Sequence, residues 1–174
     1  MVMSDKNMIT HDYDNNDFII TGDDNTRDDD FKQLLMQLEH DNNGMLFGID
    51  LRGGAIRSIM NGIHETAPTL QAAESLVIRL MGTMMARYNA LENARKDDIH
   101  LVEPTIQDVT LVVDDFKSIA DNENAFKGIM CIRKIGAAVG FHVILGCSDS
   151  EWLDYAVKHG SIPVDKHESQ PVLV

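Results

Sequence analysis

Short apolar runs and longer, helically spaced ones alternate along this chain. Asp17-Phe18-Ile19-Ile20-Thr21-Gly22 reads as a short buried strand closing at a glycine. A polar loop, Asp23 to Asp30, separates it from Phe31, Leu34, Leu35 and Leu38, which recur at helical spacing behind a cluster of aspartates. Met45 to Ile49 is the next strand, and the paired glycines of Asp50-Leu51-Arg52-Gly53-Gly54 mark a tight turn after it. Pro68 and Thr69 open the longest helix, with Ala73, Leu76, Val77, Leu80, Met81, Met84, Tyr88 and Leu91 on one face. Its methionine stripe reads as core packing rather than as a partner surface. A polar stretch from Lys96 to Asp108 leads to Val109–Val113, which runs straight into Asp114, Asp115 and Phe116. A helix over roughly 122–138, a stop at Gly140, a buried strand over 141–146 and a short helix over 151–158 follow, before the tail closes in Pro171-Val172-Leu173-Val174. Residues 1–16 are polar and rich in Asp and Asn, which predicts a flexible acidic tail ahead of a single domain over 17–174.

Alternation of this kind predicts a three-layer α/β fold, a mainly parallel sheet flanked by helices. Val109–Val113, with no polar alternation, is expected to be buried on both faces. A carboxylate at the carboxyl end of such a strand sits where α/β folds place their ligands. Asp114 and Asp115 are therefore candidates for the Walker B acids of a nucleotide hydrolase, the first orienting Mg²⁺ and the second preparing water. A buried strand that ends in a solvated Asp-Asp turn is the plainer reading of the same residues.

Strand, glycine, loop and helix from Asp17 to Leu38 is the layout of a phosphate-binding P-loop. Counting a G-x-x-x-x-G-K-[ST] pattern from Gly22 puts Arg27 at the second glycine, Asp28 at the lysine and Asp29 at the Ser/Thr. Backbone N–H groups and a lysine would meet polyphosphate in such a loop. Here Asp24, Asp28, Asp29 and Asp30 would meet it instead. Two unit charges about 4 Å apart interact by roughly 4 kcal/mol at an effective dielectric near 20, so exchanging Lys for Asp turns attraction into repulsion of that order.

The net charge of −13 argues against a broad autonomous DNA-binding surface, because phosphate neutralisation needs clustered Lys and Arg. Residues 1–43 hold eleven acids against three bases, a balance of −8 that concentrates the acidity at the amino end. Two cysteines, Cys131 and Cys147, form neither a disulfide framework nor a zinc site and point to a reducing, cytoplasmic setting. The seven histidines have no metal-ligand spacing, and His142 is expected to be a satisfied structural residue. No metal site is expected, and no apolar run approaches the ~18 residues that span a bilayer.

The order of these pieces resembles the FtsK/SpoIIIE-type motor domain, in the HerA/FtsK branch of RecA-like P-loop ATPases. Gly48 to Gly54 looks like the family's "IDPKGG" segment, and Met85-Ala86-Arg87-Tyr88 is similar to the "EMERRY" part of its long helix. Thr110 to Phe116 resembles "VVIDEF", and Ile135 to Leu145 resembles "GRAAGIHLVLAT". The resemblance implies a RecA-like fold, ring-shaped assemblies and nucleotide sites between subunits. Three departures weigh against catalysis: Asp28 in place of the lysine, Asp115 one methylene shorter than the usual Glu, and Gly146-Cys147-Ser148-Asp149 where the family has Thr-Gln. The chain also stops before the family's closing strands and helices. The expectation is a degenerate, inactive domain that binds a protein partner, an active motor subunit or further copies of itself, and needs no cofactor. The alternatives are a minimal ATP-dependent DNA translocase using ATP and Mg²⁺, and an acidic protein that binds a basic partner.

Overall fold

The computed structural model describes residues 8–12, 17–41, 44–53, 56, 63–96 and 107–163. Residues 1–7 and 13–16 of the expected tail, Gly54, residues 97–106 of the polar stretch and the closing Pro171–Val174 lie outside them. The elements in order are β1 (Met8–Asp12), β2 (Asp17–Thr21), α1 (Asp24–Asp41), β3 (Met45–Ile49), β4 (Ile63–Ala67), α2 (Leu70–Lys96), β5 (Val109–Val113), α3 (Phe116–Ile119), α4 (Glu123–Ile135), a 3₁₀ turn (Gly136–Val139), β6 (Phe141–Cys147) and α5 (Ser150–His159).

One sheet runs in the order β1-β2-β6-β5-β3-β4. β2, β6, β5, β3 and β4 are parallel to their neighbours, and β1 pairs antiparallel with β2 at the edge. The expected three-layer, mainly parallel α/β fold is thus the observed one. β5 lies at its centre, with Val112 in register with Gly48 on one side and Ile144 on the other, and all five of its residues are buried.

Strand alternation sends neighbouring side chains to opposite layers. Leu111 and Val113 pack with Val143, Leu145, Leu76, Val77, Met84, Phe126 and Ile129 in the larger core, between the sheet and α2 and α4. Val112, Ile144, Ile20 and Leu46 face the other way, onto Phe31, Leu34 and Leu35 of α1. The methionine stripe of α2 divides: Met84 is buried and Met81 packs against the larger core, whereas Met85 is exposed. Gly136–Gly140 ends the α4 unit as expected, although its last turn is 3₁₀ rather than α. Cys147 is buried and Cys131 half-buried, both as free thiols.

Three expectations change, and one strand was not anticipated. Met8–Asp12, read as part of a flexible tail, forms an edge strand whose backbone pairs with β2 from Met8–Thr21 to Asp12–Asp17. β4, whose sequence Ile63-His64-Glu65-Thr66-Ala67 shows too little apolar alternation to be read as a strand, forms the opposite edge. His142 is not satisfied: its Nδ1 is buried without a hydrogen-bond partner, and its Nε2 lies 3.9 Å from Asp108. Finally, α1 starts at Asp24 rather than near Phe31. No Gly or Pro interrupts residues 23–30, and aspartates in a first turn suit the helix dipole, so the expected polar loop is helical.

Candidate functional site

The carboxyl ends of β2, β6, β5 and β3 bring the sequence-derived residues to one edge of the sheet. Asp114 directly follows β5, and its backbone N–H donates to the Ile49 carbonyl at 3.1 Å, tying the ends of β5 and β3 together. Its side chain is completely buried. Its carboxylate accepts from the Leu51 N–H at 3.2 Å, the Arg52 N–H at 3.3 Å and Arg52 Nε at 3.1 Å. The same guanidinium reaches α1, where Arg52 Nη2 donates to Asp28 Oδ1 at 2.5 Å. Arg52 therefore bridges the carboxylates of the first Walker B position and of the lysine position of the P-loop count.

Burial pushes the Asp114 carboxyl above the usual aspartate range, against the opposing pull of Arg52 and the Leu51 N–H, while buried Asp50 adds to the rise. For Arg52, burial acts to lower its proton affinity. The hydrogen bond to Asp28 and the charges of Asp114 and Asp28 more than offset this, and the guanidinium stays protonated. The bridge is a cation held between two carboxylates, with Arg52 only 17% exposed.

Gly22 and α1 set the other wall. Gly22 has φ 150°, a conformation L-residues with side chains rarely adopt, and it turns β2 almost directly into α1. The Arg27 N–H then closes an i to i−4 bond onto the Asp23 carbonyl at 2.9 Å. Arg27, placed by the P-loop count at a second glycine, is a buried residue of a helix, with Nη1 3.4 Å from the Gly22 carbonyl. Asp29 is exposed, and Asp30 is half-buried with its carboxyl raised by burial and by neighbouring Asp29.

Asp115 is not part of this cluster. Its Oδ2 accepts from the Ser118 hydroxyl at 2.6 Å, and it lines an open groove of about 440 Å³ with Lys117, Ser118, Ser148 and Trp152. At the carboxyl end of β6 and just after it, the residues at the Thr-Gln place have structural tasks. A Cβ on Gly146 would lie 2.6 Å from the Phe31 ring and 2.7 Å from the Asp114 carbonyl, so only glycine lets α1 approach β6 here. Burial raises the Cys147 thiol. Asp149 caps α5 through the Trp152 N–H at 3.0 Å and pairs with Lys117 at 2.7 Å, which lowers its carboxyl. Among the described residues, no three His, Cys, Asp or Glu side chains come together in a way that could hold a metal ion.

Sequence reasoning missed Arg52 and Asp50 as site residues. Both stood in the segment that resembles the family, yet nothing in the sequence orders the strands so that β3 lies beside β5.

Three solved structures share this architecture. The ATPase 2 and 3 domains of Thermomonospora curvata EccC, in complex with a signal sequence peptide, superpose with TM-score 0.62 at 18% identity, over 79% of this chain and 26% of that one. The cytoplasmic domain of the Thermomonospora curvata Type VII secretion ATPase EccC gives TM-score 0.59 at 16% identity, over 79% of this chain and 16% of that one. The pCW3 conjugation coupling protein TcpA, in its monomer form with ATPγS, gives 0.61 at 15% identity, over 84% and 47%. The likeness establishes the fold, a mainly parallel α/β sheet flanked by helices. The chain spans less than half the length of each. No family model matches the chain. No curated protein matches it either. Among the described residues, no helix is long and apolar enough to cross a membrane.

Proposed function

We propose that this chain is a degenerate FtsK/HerA-type domain that has given up nucleotide chemistry and works by binding a protein partner, an active motor subunit or further copies of itself. The observation that carries the reading is the Asp28–Arg52–Asp114 bridge. In an active site of this fold the lysine side chain faces phosphate and the strand-end aspartate faces Mg²⁺. Here those two positions are both carboxylates, and one internal cation satisfies both.

A second feature agrees. A P-loop holds phosphate with backbone N–H groups that have no other acceptor. With α1 starting at Asp24, helix bonds take up these groups from Arg27 onward. The residues present therefore do not fit a Mg²⁺–triphosphate, and Gly22, Arg27, Asp28 and Asp29 are read as a degenerate Walker A segment. Asp114 and Asp115 are read as vestigial. The setting is taken to be cytoplasmic, and autonomous DNA binding is not expected of a chain of net charge −13. Calorimetric titration with ATP and Mg²⁺ tests the reading: heats that stay flat support it, and micromolar saturable binding would favour an ATP-dependent translocase.

A further inference from the structure

Away from the Arg52 bridge, residues near the carboxyl ends of α4 (Ile135) and α5 (His159) come together. Between them lies a groove of about 530 Å³. Its floor is Met130, Cys131 and Val157, all half-buried against the larger core. Lys127, Arg133, Lys134 and Lys158 stand around that floor, and among the described residues no acidic side chain lines it. In a chain with 28 acids and 15 bases, four bases around one groove reverse the local sign. Arg133 turns inward to Asp17 at 3.4 Å and Lys127 reaches back one turn to Glu123 at 2.5 Å. Lys134 on α4 and Lys158 on α5 are exposed, one on each wall.

Cations in a last helical turn complement the helix dipole, which explains each lysine separately. It does not explain why two such ends meet over an apolar floor. That combination matches a ligand with carboxylates on its flanks and aliphatic groups between them.

We propose that this groove docks an acidic peptide segment of a partner protein, with aliphatic side chains on the Met130–Val157 floor and carboxylates against Lys134 and Lys158. A peptide fits better than a nucleic acid, because a polyphosphate backbone offers nothing to the apolar floor, whereas the peptide places aliphatic side chains on it. The proposal goes beyond the absence of nucleotide chemistry, and the groove shares no residue with the Arg52 bridge.

The test is fluorescence anisotropy with the full chain and short labelled peptides: one alternating Leu with Asp and Glu, one with Ser in place of Leu, and one with Lys in place of the acids. The first is expected to bind saturably and more weakly as salt rises. The second should bind more weakly, and the third, which the acidic surface as a whole attracts, should not be weakened by loss of the groove lysines. Lys134→Glu/Lys158→Glu is expected to lower affinity for the first peptide about tenfold. Both side chains are exposed, so its thermal melt should match that of the unaltered protein; Lys134→Gln/Lys158→Gln gives the same reading should the reversal disturb folding. The proposal is overturned if the acidic Leu peptide does not bind, if both variants bind it as well as the original chain, or if a DNA duplex binds more tightly than the peptide. None of these outcomes bears on nucleotide binding, which is measured separately.

Discussion

Arg52 Nε sits 3.1 Å from Asp114 Oδ2 across 62 residues of sequence, and Asp114 is fully buried. The contact exists because β3 and β5 are neighbours, so the turn after Ile49 and the residue after Val113 end side by side. A buried carboxylate without a partner is expensive, and the loss of one member of such a pair costs about 3–5 kcal/mol. Arg52→Ala is expected to destabilise the protein by an amount of that order in urea titration. Asp28→Ala, which removes a partly exposed partner and leaves Asp114 paired, should cost about 1 kcal/mol or less. Equal effects of the two changes would show that the bridge is not anchored on Asp114.

The same carboxylate gives a pH signature. Its proton affinity in the folded protein is raised, so between the ordinary aspartate value of 3.8 and its folded value the native state binds more protons than the unfolded state. The Asp114 contribution to stability is therefore largest at low pH and falls as pH rises through that window. Asp114→Asn lacks this contribution. Urea midpoints measured from acid to neutral pH should show the unaltered protein gaining on the variant as pH falls. A difference that is flat, or that runs the other way, would contradict burial as the dominant influence on Asp114.

Gly146 sets how closely α1 can lie on the sheet. Gly146→Ala would drive a methyl group into the Phe31 ring and the Asp114 carbonyl, and overpacking of this kind costs about 1–3 kcal/mol. Combining it with Phe31→Leu should recover part of the loss. Thermal melts of the single and double variants check this, and a neutral Gly146→Ala would place α1 farther from β6.

Val112 is fully buried between α1 and the centre of the sheet, with strands on both sides. Val112→Asp places a charge where nothing compensates it, and a loss of about 4 kcal/mol or more is expected. Circular dichroism should show an unfolded or molten chain at room temperature; an unchanged melt would contradict the two-sided burial of β5.

The central strands were legible because each is a short apolar run with a hard boundary: Phe18–Thr21, Met45–Ile49, Val109–Val113 and Phe141–Gly146 all fall in observed strands. The two edges were not. An edge strand buries less, so Met8–Asp12 and Ile63–Ala67 carry little apolar patterning, and their pairing comes from backbone hydrogen bonds that sequence does not display. The start of α1 was obscured by aspartates, which mark loops as readily as first helical turns. The carboxylates of the site were visible at Asp28 and Asp114, but the cation that joins them was not. Arg52 acquires its role only when strand order brings β3 against β5.

The most direct measurement of the central claim is calorimetry with ATP and Mg²⁺ on the unaltered chain and on a variant with Arg27→Gly, Asp28→Lys and Asp29→Ser. The account predicts flat titrations for both. In the unaltered chain Arg52 holds the carboxylates of Asp28 and Asp114, and in the variant the restored residues still sit in a helix that starts at Asp24. Micromolar binding by the unaltered chain, weakened by Asp114→Ala, would contradict the account.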